Sequence, residues 1–266
     1  MIPINIGLIG KGSIGTFLLK KINEEHVIAN TKITAIFDER KKSQLDLNRL
    51  AEKYSCEPFY EIDAFLQKDI DLIIECANIE VAKKYATKIV HQKDLLLISI
   101  GAMADSQFTE KLQIAAAVSE QKVYLPSGAI GGLDVIKATK LAGELEAVTL
   151  TSRKPATALT DASLVQEKVV FEGSAFEAIN RFPKNANVAI ALSLAGLGVD
   201  KTNVKIIADP HVTKNIHHIK AFGGFGEFEM TIKNNPSPDN PKTSYLTALS
   251  ILSTLNNLEN NIIVGS

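Results

Sequence analysis

Gly10-Lys11-Gly12-Ser13-Ile14-Gly15 is a G-x-G-x-x-G run, and Asp38 stands 23 residues beyond its last glycine. That pattern suits the pyrophosphate of a dinucleotide. Gly10 permits a tight turn. Gly12 removes a side chain where backbone must approach phosphate, and Gly15 lets a helix pack closely on a strand. Ser13 and Ile14 would open that helix, whose N-terminus offers N–H groups and a partial positive charge. Asp38 falls where a ribose diol is gripped. A carboxylate there repels a 2′-phosphate by roughly 4 kcal/mol for charges about 4 Å apart at an effective dielectric near 20, which favours NAD. Arg40, Lys41 and Lys42 follow directly and offset that repulsion, so NADP remains possible. Without its context the same run is only a glycine-rich βα turn, and Asp38 only a solvated strand end.

Histidine is the other source of chemistry, because its unperturbed pKa near 6.5 suits proton transfer. The chain has five: His26, His91, His211, His217 and His218. His26 and His91 lie near predicted helix ends, where surface roles dominate. His211 follows Asp209-Pro210 in a predicted loop. His217 and His218 open a predicted strand, so their side chains face opposite sides of a sheet. From the residues alone, each is more often a structural histidine than a functional one. Cys56 and Cys76 match neither zinc spacing nor a C-x-x-C redox motif and read as reduced thiols. No metal site is expected.

The elements that must position these groups alternate in the first half. Predicted strands are Ile4 to Ile9, Lys32 to Phe37, Ile70 to Cys76, Asp94 to Ile100 and Lys122 to Leu125. Predicted helices are Thr16 to Ile22, Ser43 to Tyr54, Glu80 to Gln92 and Ser106 to Glu120. Alternation at this spacing predicts a Rossmann-type doubly wound parallel sheet, class α/β. The second half is strand-rich: Ala147 to Thr151, Glu167 to Glu172, Asn203 to Ala208, His217 to Ala221 and Gly226 to Ile232. Helices are predicted at Gly132 to Gly143, Ser174 to Arg181 and Val188 to Leu197. This is the pattern of an α+β substrate or dimerisation domain. Residues 234–241 contain three prolines and read as a loop, followed by a final helix, Thr243 to Leu258. The division expected is 1–126, 127–235, and 236–266 returning to the first domain. The apolar side chains of the last helix, among them Leu246, Leu249, Ile251, Leu252 and Leu255, require cover.

Composition narrows the function classes. The 266 residues suffice for two modest domains with cores that need no staples. Lys and Arg number 29 against 30 Asp and Glu, a net charge of −1, which argues against a nucleic-acid surface. There is no Trp and only 6% aromatic content, so base-stacking platforms are not expected. No uninterrupted apolar run is long enough to span a membrane. MIPINIGLIGKG carries neither a basic leader region nor a cleavage site, which reads against a signal peptide and for a cytoplasmic protein.

Five blocks beyond the glycine turn resemble the L-aspartate dehydrogenases. They are Pro126 to Asp134 (PSGAIGGLD), Val169 to Ser174 (VVFEGS), Phe182 to Val188 (FPKNANV), Ile207 to His217 (IADPHVTKNIH) and Pro236 to Ser244 (PSPDNPKTS). The blocks occur in the family's order and, with the glycine turn, span nearly the whole chain. The resemblance implies NAD(P)-dependent oxidation of L-aspartate to iminoaspartate, its hydrolysis to oxaloacetate and ammonia, and the reverse amination. It also implies a link to NAD biosynthesis, since iminoaspartate feeds quinolinate formation, and a homodimer. It places the catalytic histidine at His217 and nucleotide contacts at Ala129 and Asn187.

Oxidation of an amino diacid needs a base for the α-amine and for the attacking water, and histidine fits both. Two substrate carboxylates call for cations or clustered N–H donors. Lys220, Lys242 and Arg153 are candidates by residue type alone. Asn187 also reads as an N-cap, and Asn215 and Asp209 as supports for the His217 segment. Two other readings compete. Ile216-His217-His218-Ile219-Lys220 is similar to a fragment of dihydrodipicolinate reductases, although the segment after it, Ala221 to Gly226 (AFGGFG), departs from theirs. A non-catalytic dinucleotide-binding sensor would also account for the glycine turn.

Overall fold

The computed structural model describes residues 4–40, 44–160, 164–182, 186–238 and 240–264. The chain divides into two units, Met1–Pro126 with Ile251–Ile263, and Ser127–Ser250 with Val264–Ser266.

The first unit holds six parallel strands: β1 (Ile4–Ile9), β2 (Thr31–Phe37), β3 (Glu57–Phe59), β4 (Leu72–Glu75), β5 (Asp94–Leu97) and β6 (Val123–Tyr124), in the order β3-β2-β1-β4-β5-β6. The helices between them are α1 (Ser13–Leu19), α2 (Gln44–Lys53), α3 (Ile62–Leu66), α4 (Ile79–Val90) and α5 (Ser106–Val118). Strands β1, β2 and β4 are apolar on both faces because helices cover both sides of a parallel sheet. Ile6, Leu8, Ile33, Ile36, Ile73 and Ile74 are all fully buried. The order reverses between β1 and β4, and such switch points are where α/β sheets bind ligands. The glycine run leaves β1 at that point.

Two elements lie outside the sequence expectations. β3 and α3 fill a stretch with no predicted element, being too short to show a period. Residues 98–100 are not strand: Ile100–Ala104 forms a 3₁₀ turn. Lys41 and Lys42 lie outside the described residues.

The second unit is a five-stranded mixed sheet, β11-β10-β7-β9-β8. Its strands are β7 (Leu145–Pro155), β8 (Lys168–Ser174), β9 (Thr202–Asp209), β10 (Asn215–Gly223) and β11 (Gly226–Asn234). Helices α6 (Leu133–Leu141), α7 (Ala175–Arg181) and α8 (Asn187–Ala195) accompany them. A capping box, Ser174 with Glu177, starts α7. Strand β10 begins two residues before His217. The triple-proline segment is not wholly loop, for Pro236–Ser237 (β12) pairs with Asn240–Ser244 (β13). A two-stranded ribbon tolerates prolines because its outer N–H groups need no partner.

The last helix, α9 (Tyr245–Glu259), starts in the second unit, and its residues from Ile251 onward belong to the first. Ile251 and Leu255 are 0% and 1% exposed, whereas Leu249 faces solvent and is not part of the buried stripe. Glu259 accepts hydrogen bonds from Thr31 Oγ1 and from the Asn30 N–H.

Candidate active site

In the first unit, the glycine turn is shaped by backbone contact. Gly10 has φ +106°, and a Cβ there would meet Ala77 backbone at 2.9 Å. A Cβ on Gly15 would lie 2.3 Å from the Gly10 carbonyl oxygen. Both positions therefore require glycine. Gly12 differs: a Cβ there meets nothing within 4 Å, so packing does not demand glycine. The open space beside Gly12 is what a phosphate cradle requires. Ser13 and Ile14 are the first two helical residues, half-buried, and α1 carries no side-chain cap. Its leading N–H groups therefore have no side-chain acceptor capping them.

Behind the turn stands Glu75, the last residue of β4 and 0% exposed. Its carboxylate accepts from the N–H groups of Ala77, Asn78 and Ser99 and from Ser99 Oγ, at 2.9–3.1 Å. Burial pushes its pKa upward, against the pull of those bonds. Glu75 thus ties the segments that follow β4 and β5 into one rim beside Gly10. Cys76 Sγ donates to the carbonyls of Ile9 and Gly10, and burial raises its pKa, so it is an inert packing thiol.

Asp38 ends β2 and is 7% exposed. Its carboxylate is already gripped. Arg40 donates Nη2 to Oδ2 at 2.6 Å, Nε to Oδ1 at 2.9 Å, and its own N–H to Oδ1 at 3.0 Å. The fork compensates the Asp38 charge and raises the Arg40 pKa. At the position where a ribose grip is expected, a carboxylate and a guanidinium thus stand together. Gly12, the uncapped helix start and this pair fit a pyridine dinucleotide.

In the second unit, His217 sits on β10 directly opposite Ser152 on β7 and is 3% exposed. Its Nδ1 lies 3.0 Å from Ser152 Oγ. Burial, and then the charge of Lys154, lower its pKa from 6.5 to about 4, so the ring is neutral near pH 7. Lys154 follows Ser152 by two residues and therefore shares the His217 face of the sheet. Burial lowers its own pKa to about 8. His218 occupies the opposite face, with Nδ1 2.8 Å from Thr231 Oγ1 and Nε2 3.1 Å from Glu229. His26, His91 and His211 are exposed.

Ala129 is buried, and its carbonyl accepts from Asn234 Nδ2 at 2.9 Å. Asn234 ends β11, two residues after Ile232, the cross-strand partner of His217. The Ala129 loop is thus fastened to the strand beside the histidine. Asn187 is exposed and is the first residue of α8. The cap position belongs to Ala186, so Asn187 is not an N-cap.

Several supporting roles change. Arg153 points away from the His217 face and pairs with Glu167 and, at 2.5 Å, with Asp209. Lys220 is exposed on the His218 side of β10, and the side chain of Lys242 lies outside the described residues. Asp209 accepts from the His211 N–H at 2.8 Å and braces that turn rather than the His217 strand. Asn215 Nδ2 reaches Ser244 Oγ at 3.4 Å. Ser152, Lys154, Asn234 and Glu75 were not singled out from sequence. Each follows from strand register, which no single segment shows. Among the described residues no cluster could hold a metal ion, and no helix is long and apolar enough to cross a membrane.

Comparison with known proteins matches residues 134–258 to the family described as aspartate dehydrogenase, C-terminal, and residues 10–126 to the homoserine dehydrogenase NAD-binding domain. An L-aspartate dehydrogenase of Methanococcoides burtonii is 38% identical over 99% of this chain and 100% of its own length. One from Methanocaldococcus jannaschii is 37% identical with the same coverage. The crystal structure of aspartate dehydrogenase from Thermotoga maritima superposes with a TM-score of 0.79 at 32% identity, covering 98% of this chain and 99% of that one. A scyllo-inositol dehydrogenase from Lactobacillus casei, 15% identical with a TM-score of 0.56, shares the fold.

Proposed function

The chain belongs to the L-aspartate dehydrogenase family, and from that premise we infer an NAD(P)-dependent oxidoreductase that converts L-aspartate to iminoaspartate, then oxaloacetate and ammonia, and runs the reverse amination. Full-length similarity to relatives of that name carries the reading. It sets aside the reductase and sensor alternatives.

In the first unit Gly10, Gly12, Ser13, Ile14 and Gly15 would hold the pyrophosphate and Asp38 with Arg40 would meet the ribose; in the second, Ala129 and Asn187 are where the family resemblance puts nucleotide contacts. When bound, the nicotinamide supplies the hydride acceptor. The remaining work is proton transfer by His217. The base-competent tautomer donates Nδ1–H to Ser152 Oγ and leaves the Nε2 lone pair free. Nε2 takes a proton from the α-ammonium, so that the nitrogen lone pair forms the C=N bond as the Cα hydrogen leaves with its electron pair. Nε2 releases that proton to solvent, takes a second from the water that adds to the iminium carbon, and passes it to the nitrogen, which leaves as ammonia while the added hydroxyl gives up its proton to form the carbonyl. The low affinity of the free ring for protons is raised when a substrate with two carboxylates arrives, because a carboxylate nearby favours imidazolium.

The protein acts in the cytoplasm as a homodimer, and its iminoaspartate feeds pyridine-nucleotide synthesis. Support for self-association comes from Val169, Phe176 and Phe222, large apolar side chains of the second unit that are 45–53% exposed. The function is tested by mixing purified protein with NAD or NADP and L-aspartate. Growth of absorbance at 340 nm is expected, with none from D-aspartate. No turnover of L-aspartate with either nucleotide would overturn the reading.

A further inference from the structure

The strands around His217 (β7, β9, β10 and β11) carry five cations: Arg153, Lys154, Lys205, Lys220 and Lys233. Register sorts them by face. His217 pairs with Ser152 across β7 and with Ile232 across β11, and Ser152 pairs in turn with Ile206 on β9. Side chains alternate, so Arg153, Lys205, Lys220 and Lys233 all project from the other face. All four are paired or exposed there, Lys233 by exposure. Arg153 pairs with Glu167 and Asp209, Lys205 pairs with Glu172 at 3.0 Å, and Lys220 is exposed. Lys154 alone of the five shares the face of His217, and its charge acts on that ring.

We propose that Lys154 binds a carboxylate of the substrate beside His217 and thereby selects amino diacids over amino acids with uncharged side chains. This rests on the aspartate dehydrogenase reading. The chemistry is that of a half-buried ammonium, a donor of three N–H bonds, meeting a carboxylate where water is scarce. A carboxylate on Lys154 also cancels the positive charge that opposes protonation of His217. The base is therefore strengthened when a diacid is seated, and less so by a monoacid.

The test compares wild type with Lys154→Met and Lys154→Arg, using L-aspartate and L-asparagine as substrates. For Lys154→Met, the KM for L-aspartate is expected to rise about 10–100-fold, the scale of one charge-assisted hydrogen bond. The KM for NAD is expected to stay within about threefold of wild type, and the preference for L-aspartate over L-asparagine to collapse. Lys154→Arg, which keeps the charge, retains the preference. Calorimetric titration of succinate into the enzyme–NAD complex gives a readout without turnover: binding to wild type and Lys154→Arg, and none to Lys154→Met. Lys154→Gln carries the same expectations as Lys154→Met should the latter not fold. Unchanged KM and unchanged succinate binding in the uncharged variants would overturn the proposal while leaving the aspartate dehydrogenase reading intact. Failure of wild type on L-aspartate would instead remove the premise.

Discussion

His217 Nδ1 and Ser152 Oγ lie 3.0 Å apart on facing positions of β10 and β7. One hydroxyl therefore orients the ring, and in the tautomer that leaves Nε2 as the base it accepts from Nδ1–H. Two rigid strands, rather than loops, hold the pair, so the geometry is fixed before substrate arrives.

Ser152→Ala removes that partner and leaves the ring free to adopt the other tautomer. Turnover with L-aspartate is expected to fall about fivefold to tenfold, the scale of one lost hydrogen bond, with KM for NAD unchanged. Steady-state kinetics on both substrates measures this.

The glycines separate into structural and ligand-facing members. Gly15→Ala places a Cβ 2.3 Å from the Gly10 carbonyl oxygen and should cost about 2 kcal/mol or more of stability by forcing the backbone apart. Gly12→Ala meets open space and should change stability by less than about 0.5 kcal/mol, yet weaken dinucleotide binding about tenfold or more. Urea denaturation and nucleotide titration of both variants distinguish these effects.

The sequence carried much of this legibly and some of it not at all. Gly10 to Gly15 could be read because local turn sterics and ligand approach act within six residues, and Asp38 followed from strand–helix–strand spacing. His217 and His218 could be assigned to opposite faces by alternation. Which face was buried could not be read, because burial depends on α6 and α8 and on the pairing of β10 with β7 and β11. Arg153, a candidate by residue type alone, could not be sorted for the same reason: nothing local reveals that Asp209, 56 residues away, pairs with it. Lys154 lacked any local signal, since its relation to His217 exists only through cross-strand register. The short ribbon of β12 and β13 was hidden behind prolines that ordinarily mark loops.

Cofactor choice turns on Asp38 and Arg40. Arg40→Ala leaves the Asp38 charge uncompensated and should raise the preference for NAD over NADP. Asp38→Ser frees the guanidinium and should shift it toward NADP. Each shift is expected to be about tenfold in the ratio of kcat/KM values, as one charge at a few ångströms allows. Parallel assays with NAD and NADP measure it.

His217 also makes stability depend on pH. Its folded pKa, about 4, lies below the unfolded value near 6.5, so the unfolded chain binds the proton first. The contribution is complete above about pH 6.5 and is lost as pH falls toward 4, amounting to roughly 3 kcal/mol. Urea unfolding at pH 7.5 and pH 4.5 should show a larger loss for wild type than for His217→Asn.

Turnover by His217→Asn is the decisive measurement. With folding verified by urea unfolding at pH 7.5, L-aspartate oxidation at saturating NAD should fall about 10²–10⁴-fold, the usual worth of a positioned base, while the Kd for NAD stays within about threefold. Oxidation at the wild-type rate, with the variant folded and NAD bound, would contradict a catalytic role for this imidazole.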